Sequence, residues 1–428
     1  MTQLAQLGEA AWLKDGELTR LLAVLDRDGE EARVVGGAVR NALLRLPVAE
    51  IDVATTAVPE EVVRRVAAAG WKAVPTGIEH GTVTVVIDSH PFEVTTLRED
   101  VETFGRKARV VFGRDWRADA ERRDFTINAL SASADGEVFD YVGGLADIAG
   151  RRVRFIGDPR QRIDEDYLRI LRFFRFHAHF AEGLPDAAGL HACIAARAGL
   201  DTLSRERVRT ELLKLLVAPR APATLAAMSE SGLLGKVLGG VPYLASFAKM
   251  AELETALGFD ADAVRRLGAV GVMVHEDAER LSARLRLSNA ESERLAPLDG
   301  WWRVAPAEGE RAARAVLYHL GPQPFTDRVL LAWSRTDAGA GDTSWRELAT
   351  LPQRWTAPAF PLKSADFTRR GVRAGPALGA AMRAAKEAWI AADFPADRAM
   401  IEAIAERAAH EAKTSMPPAH SRKSGNPA

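Results

Sequence analysis

The chain has 428 residues, 47% of them apolar, a formal net charge of −1 and a single cysteine, Cys193. That length predicts about two to four domains with real cores. The lone thiol excludes an internal disulfide framework and a cysteine-based zinc site, and the near-zero net charge means that any nucleic-acid site has to be local. Met1-Thr2-Gln3-Leu4 lacks the charged and apolar regions of a signal peptide. No apolar run approaches the ~18 residues of a membrane span, so a soluble, cytoplasmic protein with no membrane partner is expected.

In chain order, residues 1–30 carry Leu13, Leu18, Leu21, Leu22 and Leu25 at helical spacing and are expected to be helical. Residues 31–35 predict a strand, 39–46 a helix, 51–54 a second strand and 59–69 another helix. Residues 81–87 and 92–97 predict a hairpin turning at Asp88-Ser89-His90-Pro91. After about Arg151 helical periodicity dominates, in Ala-, Leu- and Arg-rich segments. Breaks are expected near 219–222, 239–242, 305–309 and 356–361. Residues 413–428, with Pro417, Pro418, Ser421, Ser424 and Pro427, are expected to be disordered.

Several groups of residues carry chemistry. Val34-Val35-Gly36-Gly37-Ala38-Val39-Arg40 reads as a buried strand running through a glycine turn into a helix. Amides at such a turn can cradle a phosphate, and Arg40, one turn into the helix, can reach it; a plain strand-to-helix turn is the other reading. Glu50 and Asp52, at i and i+2, share one face of a strand, as a divalent-metal site or a solvent-facing pair. Glu93, on the next predicted strand, either completes that clamp or is exposed. In Arg122-Arg123-Asp124-Phe125-Thr126-Ile127-Asn128 the polar side chains flank apolar Phe125 and Ile127. There Asp124 can accept from ribose hydroxyls and Arg123 can contact phosphate, with Asn128 beside them; a helix cap at Asp124 or Thr126 is the alternative. Asp166, Arg169, Arg172 and Arg175 are spaced by three, which predicts one continuous helix stripe beside Leu168, Leu171 and Phe174. It is either a solvated face with ion pairs or an anion site, because three arginines on one face repel each other. A carboxylate and an arginine on that face can also read a base edge. His177 and His179 read as structural, His275-Glu276-Asp277 as surface and Trp301-Trp302 as core or interface. Residues 204–211 read as a capped helix start whose basic residues could face the same cleft.

Together these motifs resemble the class II CCA-adding tRNA nucleotidyltransferase / bacterial poly(A) polymerase family. Gly36-Gly37-x-x-Arg40, Glu50-x-Asp52-x-x-Thr55, the run Arg122 to Leu130 and Glu165-Asp166-x-x-Arg169 stand in that family's order and spacing. So do Pro75-Thr76-Gly77-x-Glu79-His80-Gly81-Thr82, Glu93-Val94-Thr95-Thr96-Leu97-Arg98 and Phe139-Asp140-x-x-Gly143-Gly144-x-x-Asp147. The resemblance is close over about residues 30–215 and looser beyond, as at Gly371-x-x-x-Gly375-Pro376-x-x-Gly379. It implies an α/β nucleotidyltransferase (palm-like) head over 1–148 and an all-helical remainder: neck 149–222, body 223–330 and tail 331–412. It implies template-independent addition of CMP and AMP to the 3′ end of tRNA, with poly(A) addition, partial CC- or A-addition, or RNA binding without strong catalysis as alternatives. By the family pattern Glu50 and Asp52 hold Mg²⁺, with Glu93 as the third catalytic carboxylate. Gly36, Gly37 and Arg40 meet the triphosphate, and Arg123, Asp124 and Asn128 attend the nucleotide and its sugar. Asp166 and Arg169 choose CTP or ATP, assisted by Arg172 and Arg175. Body and tail hold the tRNA acceptor and T-arm by shape and phosphates, and no DNA partner is implied. Glu50 stands where the family usually has Asp, Asn41 where it has Asp, and Thr103-Phe104-Gly105-Arg106 where it has Asp-Gly-Arg in a loop that helps switch from C to A.

Overall fold

The computed structural model describes residues 5–7, 10–78, 81–104 and 107–414. Glu79, His80, Gly105 and Arg106 lie outside them. The first part of the chain builds a mixed sheet of β1 (Ala5–Gln6), β2 (Ala32–Val35), β3 (Asp52–Thr55), β4 (Lys72–Gly77), β5 (Thr82–Ile87), β6 (His90–Thr96), β9 (Ser131–Ala132) and β10 (Glu137–Phe139), in the order β1-β10-β9-β2-β3-β6-β5-β4. β7 (Arg98–Phe104) and β8 (Lys107–Phe112) pair with each other as a separate hairpin. β3 and β6 are parallel, with Asp52 beside Glu93, while β2 is antiparallel to β3, with Val35 beside Asp52.

Alternation along the strands decides the two faces. Val83, Val85, Ile87, Val94 and Val53 are buried and pack with helices α1 (Gly16–Leu25) and α3 (Pro59–Ala68). Asp52, Glu93, Thr95 and Thr82, on the other parity, line a cleft. α1 is shorter than the helix expected over 1–30. The Asp15 side chain accepts from the amides of Glu17 and Leu18, which starts the helix there, and β1 joins the sheet edge instead. The hairpin between β5 and β6 is also tighter than expected. Ile87 pairs with His90, so His90 and Pro91 belong to the strand. Asp88 and Ser89 alone make the turn, at φ 46° and 76°, the left-handed pair that matches strand twist.

The helical part begins with α6 (Pro159–Glu165), α7 (Leu168–Phe180), α8 (Ala187–Ala195) and α9 (Arg205–Leu216), which follow α2 (Gly37–Leu43), α4 (Trp116–Glu121) and α5 (Gly144–Ala149) of the head. α7 is tied to the head by aromatic packing: Phe125 stands 4.8 Å from Phe155, and Phe155 stacks 5.3 Å from Phe173, centroid to centroid. His177, inside this helix, is buried, and burial together with Arg220 lowers its pKa to about 4. The breaks expected near 239–242 and 356–361 fall between helices, that near 219–222 runs into the start of the Ala221–Glu230 helix, and that near 305–309 holds a short 3₁₀ turn, Pro306–Glu308, leading into the Gly309–Leu320 helix. The last helix, Arg398–Thr414, includes Lys413 and Thr414; the rest of the segment expected to be disordered lies outside the described residues.

By its internal contacts the chain forms two compact units. One comprises Met1–Leu244, Asp262–Gly271 and Glu279–Ser288; the other comprises Ala245–Ala261, Val272–Ala278 and Asn289–Ala428. In the second unit the Pro376–Ala391 and Arg398–Thr414 helices bury alanines against each other, with Ala381, Ala385, Ala405 and Ala409 at the contact. No helix among the described residues is long and apolar enough to cross a membrane.

Candidate active site

A cleft of about 730 Å³ opens on the polar face of the sheet, within the first unit. Its lining includes every residue singled out above: Gly36, Gly37, Arg40, Glu50, Asp52, Glu93, Arg123, Asp124, Asn128, Asp166, Arg169, Arg172 and Arg175. Residues more than a hundred positions apart in the chain therefore face one space.

The carboxylates occupy the sheet side. Asp52 opens β3 and Glu93 is its register partner on β6, while Glu50 sits just before β3 rather than within a strand. Burial, then the neighbouring charges of Glu93 and Glu50, raise the pKa of Asp52, and Arg123 partly offsets them. Crowded like charges of this kind call for a cation. Among the described residues no three acidic or imidazole side chains form a ready-made metal cage. Two carboxylates that leave room for phosphate oxygens and water match the way Mg²⁺ is held beside nucleotides.

The glycine turn joins β2 to α2. Gly36 has φ 70°, a conformation that favours glycine, and a Cβ there would press on Arg123 Nη1 at 3.2 Å. Its amide donates to the Leu130 carbonyl, which leaves any phosphate cradle to the amides from Gly37 onward. Arg40, 8% exposed, donates to Asn128 Oδ1 at 2.5 Å and twice to Asn41 Oδ1, at 3.1 and 2.9 Å. It lies over the Phe180 ring at 4.1 Å. Burial and then Arg175 lower its pKa to about 10, and Asp124 works against that shift, so it is a cation at neutral pH.

The arginine wall differs from its expected form. α6 ends at Glu165, Asp166 is extended at φ −157° and α7 begins only at Leu168. Asp166 therefore precedes the helix instead of sitting on its stripe. Its Oδ1 accepts from the Leu168 amide at 3.1 Å and its Oδ2 from Arg207 Nη2 of α9 at 2.5 Å. Only Arg169, Arg172 and Arg175 lie along α7, and their repulsion is already met by carboxylates of the chain. Arg169 pairs with Glu165, Arg172 with Asp124 at 2.5 Å, and Arg175 with Glu211 at 2.5 Å. Burial opposes the charge of Arg172, yet Asp124 holds its pKa above the ordinary value by attraction and hydrogen bonding. Asp124 also accepts from the Phe125 amide and from Asn128 Nδ2, so it is a hub of the wall rather than a helix cap. The short 3₁₀ turn Thr126–Asn128 has no side-chain cap at all.

Sequence reasoning missed Asp119 and Glu211 as parts of this site, and it quoted Glu165 in a motif without a role. Asp119, 4% exposed, holds both Arg122 and Arg123. Asp119 and Glu165 stand three or four residues before their arginines, a helical spacing that could have revealed them. Glu211 reaches the wall from another helix, and nothing local marks it. Of the basic residues in 204–211, Arg207 reaches the cleft residue Asp166, although Ser204 makes no capping hydrogen bond. Elsewhere, in the second unit, His275 bonds Asp299 at 3.0 Å and Trp301 donates to the Met273 carbonyl at 3.1 Å.

Comparison with known proteins gives this geometry a family. Residues 32–154 match the model of the poly A polymerase head domain, and residues 189–247 match that of a probable RNA- and SrmB-binding site of polymerase A. The chain is 33% identical over 387 residues to the mouse (Mus musculus) mitochondrial CCA tRNA nucleotidyltransferase 1, covering 87% of this chain and 85% of that protein. The chain belongs to the CCA-adding tRNA nucleotidyltransferase family. The CCA-adding enzyme of Limosilactobacillus fermentum is 32% identical over 380 residues, 85% of this chain and 89% of that one. A Bacillus stearothermophilus CCA-adding enzyme, solved in complex with CTP, superposes with a TM-score of 0.72 at 26% identity over 93% of this chain and 98% of that one. The nucleotidyltransferase head followed by helices is thus the family's architecture.

Proposed function

We propose that this chain adds CMP and AMP, as CCA, to the 3′ end of tRNA by template-independent nucleotidyl transfer, releasing pyrophosphate. The observation that carries this reading is the single cleft in which carboxylates on the sheet face an arginine wall, with Asp166 and Arg169 at its helical end. The RNA 3′-hydroxyl attacks the α-phosphorus of CTP or ATP in line, one P–O bond forms, and the bond to pyrophosphate breaks. Glu50 and Asp52 would hold Mg²⁺, which supplies charge neutralisation at the phosphate and a lowered hydroxyl pKa when bound. Glu93, the register partner of Asp52, would accept the hydroxyl proton. Arg40 and the α2 amides from Gly37 onward stabilise charge on the departing pyrophosphate. Arg123 contacts the nucleotide, and Asp124 and Asn128 hold the wall that receives its sugar. Asp166 is an acceptor for an exocyclic amine, and Arg169 donates to ring acceptors; Arg172 and Arg175 steady them. The neck (149–222) then selects the nucleotide, and the body (223–330) and tail (331–412) hold the acceptor and T-arm.

Incubating tRNA that lacks its 3′ CCA with Mg²⁺ and CTP, ATP or both, then sequencing the ends, tests the reading. C, C, A from the mixture is expected. Runs of A would make the chain a poly(A) polymerase, a stop after CC a partial enzyme, and no product with any divalent cation an RNA-binding protein on this fold.

A further inference from the structure

One stretch of the cleft is left without a role by the reading above. Thr82 on β5 and Thr95 on β6 are register partners, and both line the cleft on the same sheet face as Glu93. Their hydroxyls lie 3.2 Å apart, and either can donate to the other. The pair stands one pleat beyond Glu93 along β6, on the side of Asp52 away from β2, the glycine turn and Arg40. Arg98, at the start of β7 and three residues beyond Thr95, also lines the cleft.

In-line displacement decides what belongs there. The nucleoside triphosphate has its pyrophosphate toward α2 and Arg40 and its base toward Asp166 and Arg169. Its reacting phosphorus then lies over Glu50 and Asp52. The attacking oxygen has to arrive opposite the leaving group, from the β6 and β5 side. A terminal ribose carries its 2′-hydroxyl next to the attacking 3′-hydroxyl, and a 2′-hydroxyl is both donor and acceptor. Two threonine hydroxyls that can each donate and accept complement that group.

Resting on the nucleotidyltransferase reading, we infer that the Thr82–Thr95 hydroxyl pair binds the terminal ribose of the acceptor RNA through its 2′-hydroxyl. The pair thereby helps to place the 3′-hydroxyl and to distinguish an RNA end from a 2′-deoxy end. Arg98 flanks this subsite and faces the last phosphate of the primer.

The test is a cycle that pairs a protein change with a primer change. CMP incorporation is measured for the wild-type chain and for T82V/T95V, with tRNA minihelices ending in ribose or in 2′-deoxyribose and with CTP or dCTP as donor. Loss of one hydrogen-bonded group in such a site costs about three- to tenfold. The wild type is expected to disfavour the 2′-deoxy primer by about tenfold in kcat/KM, and T82V/T95V to lose that preference. KM for CTP and the preference for CTP over dCTP should hold in the variant. T82S/T95S, which retains both hydroxyls, should restore discrimination of the primer. An unchanged ribo/deoxy ratio in T82V/T95V would overturn the inference. So would loss of the CTP/dCTP preference instead, which would assign the pair to the incoming nucleotide. Failure of the wild type to incorporate CMP on either primer would sink the nucleotidyltransferase reading itself, a separate outcome.

Discussion

At the level of single residues, the cleft is a balance of charge in which Arg122, Arg123, Arg169, Arg172 and Arg175 are each paired with a carboxylate of the chain. The motif residues were readable because short-range spacing carries them: a glycine turn, an i, i+2 acidic pair, an arginine every third residue. The counter-ion of Arg175 was not, since Glu211 reaches it from a helix 36 residues further on and side-chain pairing at that range leaves no local pattern. Two outcomes follow at this scale. Asp52→Ala is expected to abolish CMP and AMP incorporation, because it removes a carboxylate proposed to hold Mg²⁺; full activity in that variant would refute the metal assignment. Asp166→Ala combined with Arg169→Ala should blur the choice between CTP and ATP more than it raises the KM for either. Each bidentate base contact is worth about 1–3 kcal/mol of discrimination, so selectivity should fall by at least about fivefold. Selectivity equal to wild type would remove the base-reading role.

Among the elements, α7 and its surroundings decide how rigidly the nucleotide wall is held. Its apolar face was legible as Leu168, Leu171 and Phe174, all buried. The break at Asp166 was not, because the three-residue spacing runs unchanged through a residue whose backbone is extended. Glu211 is 6% exposed and lies 2.5 Å from Arg175 and 3.7 Å from Arg172. Glu211→Gln leaves these guanidiniums facing each other and Arg40, and should cost about 2–4 kcal/mol of stability. CTP, whose phosphates supply the missing anion, should raise the melting temperature of this variant more than that of the wild type. Equal shifts would show that the triphosphate does not reach this part of the wall. His177 adds a pH dependence. It is neutral in the fold, with a pKa lowered to about 4, against about 6.5 when unfolded. Below 6.5 the unfolded state binds the extra proton, so this stability is complete above about pH 6.5 and is lost as pH falls toward 4. Denaturant titrations from pH 8 to 4 should show about 3 kcal/mol of this loss in the wild type. His177→Gln should be less stable at pH 8 but flatter across that range, and an equally steep profile would place the titration elsewhere.

Over the whole molecule, the switch from α/β to helical near Arg151 was visible in hydrophobic periodicity, and the helix breaks were marked by proline and glycine. The strand order β1-β10-β9-β2-β3-β6-β5-β4 was not, because pairing between distant strands depends on crossover packing rather than on any one segment. The hairpin of β7 and β8 escaped for a related reason: it pairs only with itself, as a separate two-stranded sheet outside the main one. Net charge carries a last consequence. A chain with a formal charge of −1 has no global field to attract tRNA, so its grip on RNA comes from local arginine and lysine contacts that displace condensed counterions. Binding of this kind weakens linearly in log–log form with salt. With roughly four phosphate contacts, raising monovalent salt from about 50 to 200 mM should weaken tRNA binding by about 10²-fold. Filter binding or anisotropy across that range measures the slope directly. A flat profile would mean that tRNA is held by shape and stacking alone, and the helical body and tail would lose their assignment as a phosphate-reading surface.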